Sequence, residues 1–274
     1  MISPGSQRCA RAVIAYDGTD FAGSQLQPNA RTVQGELEEA LNRLTGERVR
    51  VRFAGRTDAG VHATGQVAAF CIARRRRGEG ISWPELRRRL NAMLPRDLAV
   101  RSLRAAPPGF DPRRDARLRV YRYRVRMAGD KRPTDRHRTL EIGDRLNVAA
   151  MRAAAAELLG ERDFAALGSD LRGRTVRHLT EVSIVRRGTS VEIRVTANAF
   201  LRRMVRSIAA LLLEAGRGRL TPGEVAGMLD AGKRALDGRA APACGLTLER
   251  VIYSNTGSAT DSRGRAEQGE RTKV

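Results

Sequence analysis

The sequence predicts an α+β fold built from two tandem halves, each running strand, helix, strand, strand, helix, strand. Three observations predict it. Apolar residues alternate between a period of two and a period near 3.6 in that order, twice along the chain. A Pro107-Pro108-Gly109 break separates the two passes. The 274 residues, 41% apolar and 30% charged, exceed one usual core and suffice for two. This order is the ferredoxin-like split arrangement, here with antiparallel sheets expected to form an extended basic face and a central cleft.

In the first half, 10–16 reads as a strand and Thr32 as the cap of a helix whose Val33, Leu37, Leu41 and Leu44 keep helical spacing. Residues 48–53 alternate strictly. Val49, Val51 and Phe53 fall on one face, and Arg48, Arg50 and Arg52 on the other, toward solvent or phosphate. A strand over 66–73 follows, then a helix opened by a capping box of Ser82 and Glu85, then a strand over 98–103.

The second half repeats the order. It has a strand over 118–127, a helix over 148–159 ended by Gly160, and strands over 181–187 and 191–197. A long helix over 200–215 ends at Gly216, a shorter one opens at Thr221, Pro222 and Glu224, and 246–253 is the last strand. The division is an N-terminal extension over 1–9, halves over 10–108 and 109–253, and a polar, disordered tail over 254–274.

Fifty-one basic against 30 acidic residues give a net charge of +21, which points to a polyanionic partner, nucleic acid first. Lysine occurs only at 131, 233 and 273. The rest of the basic residues are arginine, which contacts phosphate bidentately and stacks on bases. Cys9, Cys71 and Cys244 are odd in number and widely spaced, fitting neither a disulfide framework nor a metal knuckle and suggesting a reducing cytoplasm. The dispersed His62, His137 and His178 argue against an imidazole metal site. No apolar run reaches membrane-spanning length, and the start lacks a signal-peptide core.

The densest cluster of reactive side chains is the loop Gly55-Arg56-Thr57-Asp58-Ala59-Gly60-Val61-His62. Glycines let such a loop approach a ligand, and an Asp within it can point into a cleft, although a lone Asp there is more often a satisfied turn carboxylate. Tyr121 and Tyr123 share a strand face with Val125 and Met127, which suits core packing or a plane for a base extruded from RNA. Arg206 lies in an otherwise apolar helix and needs an anionic partner, for which Asp58 is suited.

These residues fall into a pattern that resembles the tRNA pseudouridine synthase A family. It comprises Gly-Arg-Thr-Asp-Ala-Gly-Val-His-Ala at 55–63 with Gly65, Gln66 and Val67; Tyr16-Asp17-Gly18-Thr19 with Phe21, Gly23, Gln25 and Gln27; and Thr32-Val33-Gln34-Gly35 with Leu37 and Glu38. Arg119, Tyr121 and Tyr123, then Asn198-Ala199-Phe200 with Met204-Val205-Arg206, then Ala241-Pro242 with Gly245-Leu246, complete it over 10–253. The resemblance implies isomerisation of uridine to pseudouridine at positions 38, 39 and 40 of the tRNA anticodon stem-loop by a homodimer that uses no cofactor or metal. It also implies Asp58 as the essential carboxylate, Arg206 as its partner and Tyr121 as the base-stacking ring. Arg56, His62 and Leu246 would contact substrate or line the pocket. Two departures stand out: Ser24 where the family usually has Trp, losing an aromatic contact, and Pro112 where Ala is usual.

Asp58 would serve as nucleophile at C1′ or as base toward the 2′ proton. Two rivals need less. A noncatalytic RNA-binding module or folding chaperone would use only the basic sheet, and a glycosidase would release free uracil.

Overall fold

The computed structural model describes residues 7–73, 80–127, 132–169, 173–231 and 235–254. The expected tail from 255 onward lies outside the described residues, as do residues 1–6 of the expected N-terminal extension. Gln7 to Cys9, read as part of that extension, belong to the first strand.

The strands are β1 (Gln7–Tyr16), β2 (Arg52–Phe53), β3 (His62–Ala73), β4 (Leu98–Ala105), β5 (Ala116–Arg126), β6 (Leu140–Glu141), β7 (Gly160–Asp163), β8 (Val176–Arg187), β9 (Ser190–Ala197) and β10 (Leu246–Tyr253). They form one continuous sheet in the order β4-β1-β3-β10-β5-β9-β8-β7, with β2 added on β3 and β6 on β5. The middle of the sheet is joined by β3 and β10, which pair in parallel at Thr247 with His62 and Leu248 with Ala63. The C-terminal strand thus lies beside the strand that leaves the Asp58 loop.

The helices are α1 (Val33–Thr45), α2 (Trp83–Met93), α3 (Val148–Ala156), α4 (Met204–Gly216) and α5 (Pro222–Asp230). Each begins where the sequence supplies a stop for its free N–H groups, except α4. The Thr32 hydroxyl accepts from Gly35 N–H, Ser82 from Glu85 N–H, and Thr221 forms a full capping box with Glu224. Only half of the expected Ser82 box forms. The Glu85 carboxylate turns to Arg88 and Arg89 instead. Val33, Leu37, Leu41, Leu86, Leu90, Met151, Ile208 and Leu212 join Ala10, Ala12, Ile14, Tyr121, Tyr123 and Val125 in one buried apolar cluster.

Two expectations give way to the structure. The alternating run 48–53 buries Val49 and Val51 as predicted, yet only Arg52 and Phe53 enter the sheet. The N–H groups of Val49 and Val51 donate to Asn42 Oδ1 and Glu38 Oε1 of α1 instead, so side chains replace a ladder. The helix expected from Phe200 begins at Met204, because Arg203 adopts the left-handed region at φ 63° and turns the chain just before it. Arginines of β5 and β9 are matched by acids. Arg122 pairs with Glu192 and Glu249, Arg124 with Glu192, Arg194 with Glu249, and Arg126 with Asp135.

The cysteines bring a further correction. Cys9 and Cys71 are Cα partners across β1 and β3, and their sulfurs are bonded, while Cys244 is free. Spacing along the chain concealed this, since antiparallel pairing brings residues 62 apart face to face. Among the described residues, no helix is long and apolar enough to cross a membrane, and no cluster of His, Cys, Asp and Glu could hold a metal ion.

Candidate active site

The Asp58 loop spans the gap between β2 and β3 and is held from several sides before any ligand is considered. Its base is fixed by Ala54 N–H donating to Val67 O and by the Gln66 amide donating to Gly55 O, at 2.8 and 2.7 Å. Its far side turns at Gly60, where Val61 N–H returns to Asp58 O. The loop of residues 17–32 acts as a mould along one edge. Gly18 must be glycine there, since a Cβ would sit 2.0 Å from the Val61 carbonyl oxygen.

At the tip, Asp58 keeps 28% of its side chain open to solvent. Arg206, in the first turn of α4, reaches its Oδ2 through Nη1 at 3.3 Å. The guanidinium is aimed from behind: Nε donates to Ala241 O at 2.7 Å, and Ala241 N–H donates back to Arg206 O at 3.0 Å. Asp58 and Arg206, matched as acid and base in the sequence, therefore lie within reach of each other.

Tyr121 lies on β5 beneath this pair. Its ring meets Phe200 edge-on, with centroids 5.2 Å apart and planes at 86°. Burial raises its phenol well above the ordinary range, with the nearby Tyr16 and Asp58 adding to the shift, so the hydroxyl is protonated at neutral pH. The chain has four tyrosines, and the other three hydroxyls are engaged. Tyr16 bonds Thr57 Oγ1, Tyr123 donates to Pro242 O and Tyr253 donates to Pro112 O. Among the described residues Tyr121 alone has no protein partner for its hydroxyl. Core packing fits Tyr123, and a free polar group beside the carboxylate distinguishes Tyr121.

The remaining expected contacts divide. Arg56 is exposed two residues before Asp58 and is available to a ligand. Leu246 is buried at the start of β10 opposite Tyr123, on the face that carries Tyr121. His62 is placed differently. It is 4% exposed, with both ring nitrogens bonded to protein groups rather than facing a cleft. Nδ1 accepts from Gly18 N–H at 3.0 Å, and Nε2 faces the carbonyls of His137 and Cys244 at 2.7 and 3.2 Å. Carbonyls only accept, so Nε2 carries the proton. Asp17 Oδ1 also lies 3.1 Å from Nδ1, but with that nitrogen taken as acceptor the Asp17 charge is matched by Arg138. His62 ties three loops together.

Two residues named in the sequence pattern received no structural role there. Arg119 is buried, and donates to the carbonyls of Ala54, Arg113, Ala116 and Asn198, joining the root of the Asp58 loop to the segment before α4. Its signal was available: Arg119 has the same odd-numbered register on β5 as Tyr121, Tyr123 and Val125, an arginine inside an apolar stripe. Burial lowers its pKa, against the raising effect of Tyr253 and Tyr121. Ser24 is the second. Read only as a lost aromatic contact, it is completely buried against Thr57.

A family model described as tRNA pseudouridine synthase matches residues 12–113 and 154–254, spanning the Asp58 loop, α4 and β10. The chain belongs to that family. Its relatives include tRNA pseudouridine synthase A of Chloroflexus aurantiacus, 46% identical over 90% of this chain and 89% of that protein. The enzymes of the same name from Geobacter sulfurreducens and Geotalea uraniireducens are 43% and 42% identical, each over 90% of this chain and the whole of its own. Family membership therefore covers both sides of the site, the loop bearing Asp58 and the helix bearing Arg206.

Proposed function

We propose that this chain isomerises uridine to pseudouridine at positions 38, 39 and 40 of the tRNA anticodon stem-loop, with Asp58 as the reacting carboxylate. The observation that carries the site assignment is the juxtaposition of a partly open carboxylate, a fixed guanidinium and a protonated, unpartnered phenol. The reaction breaks N1–C1′, turns the uracil and joins C5 to C1′. A proton leaves C5 and one is gained at N1, so nothing is oxidised and no cofactor is called for. Asp58 acts as nucleophile at C1′, displaced again by C5, or as base that takes the 2′ proton and later returns it. Tyr121 gives the flipped base a plane, Arg56 guides it from the exposed side of the loop, and Leu246 closes the pocket floor.

The architecture that supports this reading is two tandem ferredoxin-like halves over 10–108 and 109–253. Support comes from the strand orders β4-β1-β3-β2 and β10-β5-β9-β8, which are the same permutation of first, second, third and last strand. The site lies where the two halves meet, at β3 and β10. A cytoplasmic homodimer completes the proposal, so that a second copy extends the basic surface along the tRNA.

Treatment of an unmodified tRNA transcript with wild-type protein and with Asp58→Asn tests the assignment. Carbodiimide adduct mass spectrometry should find pseudouridine at the three positions with wild type and none with the variant. Free uracil would indicate a glycosidase, unmodified RNA from the wild type a binding module, and substantial turnover by Asp58→Asn a different catalytic group.

A further inference from the structure

We infer that the Ser24 hydroxyl is a positioning residue for Asp58, clamping the peptide groups on either side of Thr57 so that the next residue presents its carboxylate in one geometry. The inference rests on Asp58 being the reacting group.

Ser24 is completely buried in the loop that moulds the Asp58 segment. Its Oγ accepts from Thr57 N–H at 2.9 Å, and its own N–H donates to Thr57 O at 3.1 Å. One residue therefore satisfies both backbone groups of Thr57. The second of these belongs to the peptide that also carries the Asp58 N–H. The Thr57 side chain is held as well, by Tyr16 at 2.8 Å. Ser24 is itself anchored, because Gln34 N–H in α1 donates to its carbonyl at 3.0 Å. Gly23 permits the close approach: it sits at φ 108°, and a Cβ there would lie 2.9 Å from Thr57 O.

The chain from α1 through Ser24 to Thr57 thus transmits the rigidity of a capped helix to the residue before Asp58. Arg206 fixes the carboxylate from the opposite side. A serine suits the task because its oxygen is a good acceptor on a short stem. An alanine would leave a buried N–H without a partner, and cysteine offers only a weak acceptor of similar shape.

The test compares full-length wild type, Ser24→Ala and Ser24→Cys on an unmodified tRNA transcript. Single-turnover rate with enzyme in excess, RNA Kd, thermal midpoint and amide exchange at Thr57 are measured. Ser24→Ala should slow the chemical step by about ten- to a hundredfold through misplacement of the carboxylate. RNA Kd should not change, Ser24→Cys should fall between, and Thr57 N–H should exchange faster in both variants. A wild-type rate in Ser24→Ala overturns the inference, as does a loss expressed in Kd with the rate intact. If Ser24→Ala fails to fold, an undiminished rate in Ser24→Cys overturns it. Absence of pseudouridine with wild-type enzyme would refute the proposed function instead. In that event the clamp is read by Thr57 exchange alone, and unchanged protection in Ser24→Ala overturns it.

Discussion

Arg206 reaches Asp58 at 3.3 Å across 148 positions of sequence, and does so with its guanidinium already fixed by the Ala241 carbonyl. A cation held in place before substrate arrives requires no reorganisation at the moment of reaction. Lysine cannot copy this arrangement, because one ammonium lacks the planar fork that reaches both acceptors. Arg206→Ala and Arg206→Lys should both fold and should both lose about 10²–10³ in kcat. Single-turnover assays beside thermal melts check it. A fully active Arg206→Lys would show that charge alone suffices.

Tyr121 offers a ring and a hydroxyl, which Tyr121→Phe separates. The phenylalanine keeps the plane and its edge contact with Phe200, so RNA binding should hold. The phenol is held protonated by burial, so the proposed relay would accept one proton while passing on its own. Loss of that relay should lower turnover by about a hundredfold or more. Tritium release from C5-labelled RNA gives the rate. Wild-type release would leave Tyr121 as a stacking plane only.

Local signals made much of this fold legible. Thr32 and Thr221 mark helix starts because capping needs only residues three positions apart. The run Leu246–Tyr253 is a strand in sequence and structure alike. What local pattern cannot carry is the identity of a distant partner. Val49 and Val51 alternate like a strand but bond to side chains of α1, and the short β6 and β7 have too few residues to show a period. At the site, Asp58 and Arg206 were visible as an acid and a base each lacking a local partner. Ser24 was not, since a buried serine and an exposed one look alike until the loop packed on it is known.

Asp17 gives a pH prediction away from the chemistry. Burial alone would raise its carboxyl, but hydrogen bonds from the Thr19 hydroxyl, Arg138 and Thr19 N–H bring it down to about 2. A carboxyl depressed in the folded state adds stability above its unfolded pKa of about 4 and loses that contribution as pH falls toward the folded value. Wild type should therefore exceed Asp17→Asn in thermal midpoint near neutrality, and the gap should close between about pH 4 and pH 2. A gap that persists unchanged at the acid end would mean that the Asp17 charge is not its source.

The Cys9–Cys71 bond closes a segment of 62 residues that holds α1, β2 and the whole Asp58 loop. Cross-linking restricts the unfolded chain, and for a loop of this length the entropy model gives about 4 kcal/mol, an upper figure where the native state relaxes little. The β1–β3 ladder and the core beneath it remain when the bond is cut, so the reduced protein should stay folded. Dithiothreitol should thus lower the urea midpoint of wild type while leaving the single-turnover rate in dilute buffer unchanged. Cys9→Ser should show the reduced midpoint in both conditions. If reductant leaves the wild-type midpoint in place, the bond does not constrain the unfolded chain as argued. If instead the rate falls while the protein stays folded, the bond holds the Asp58 loop in register as well as the strands.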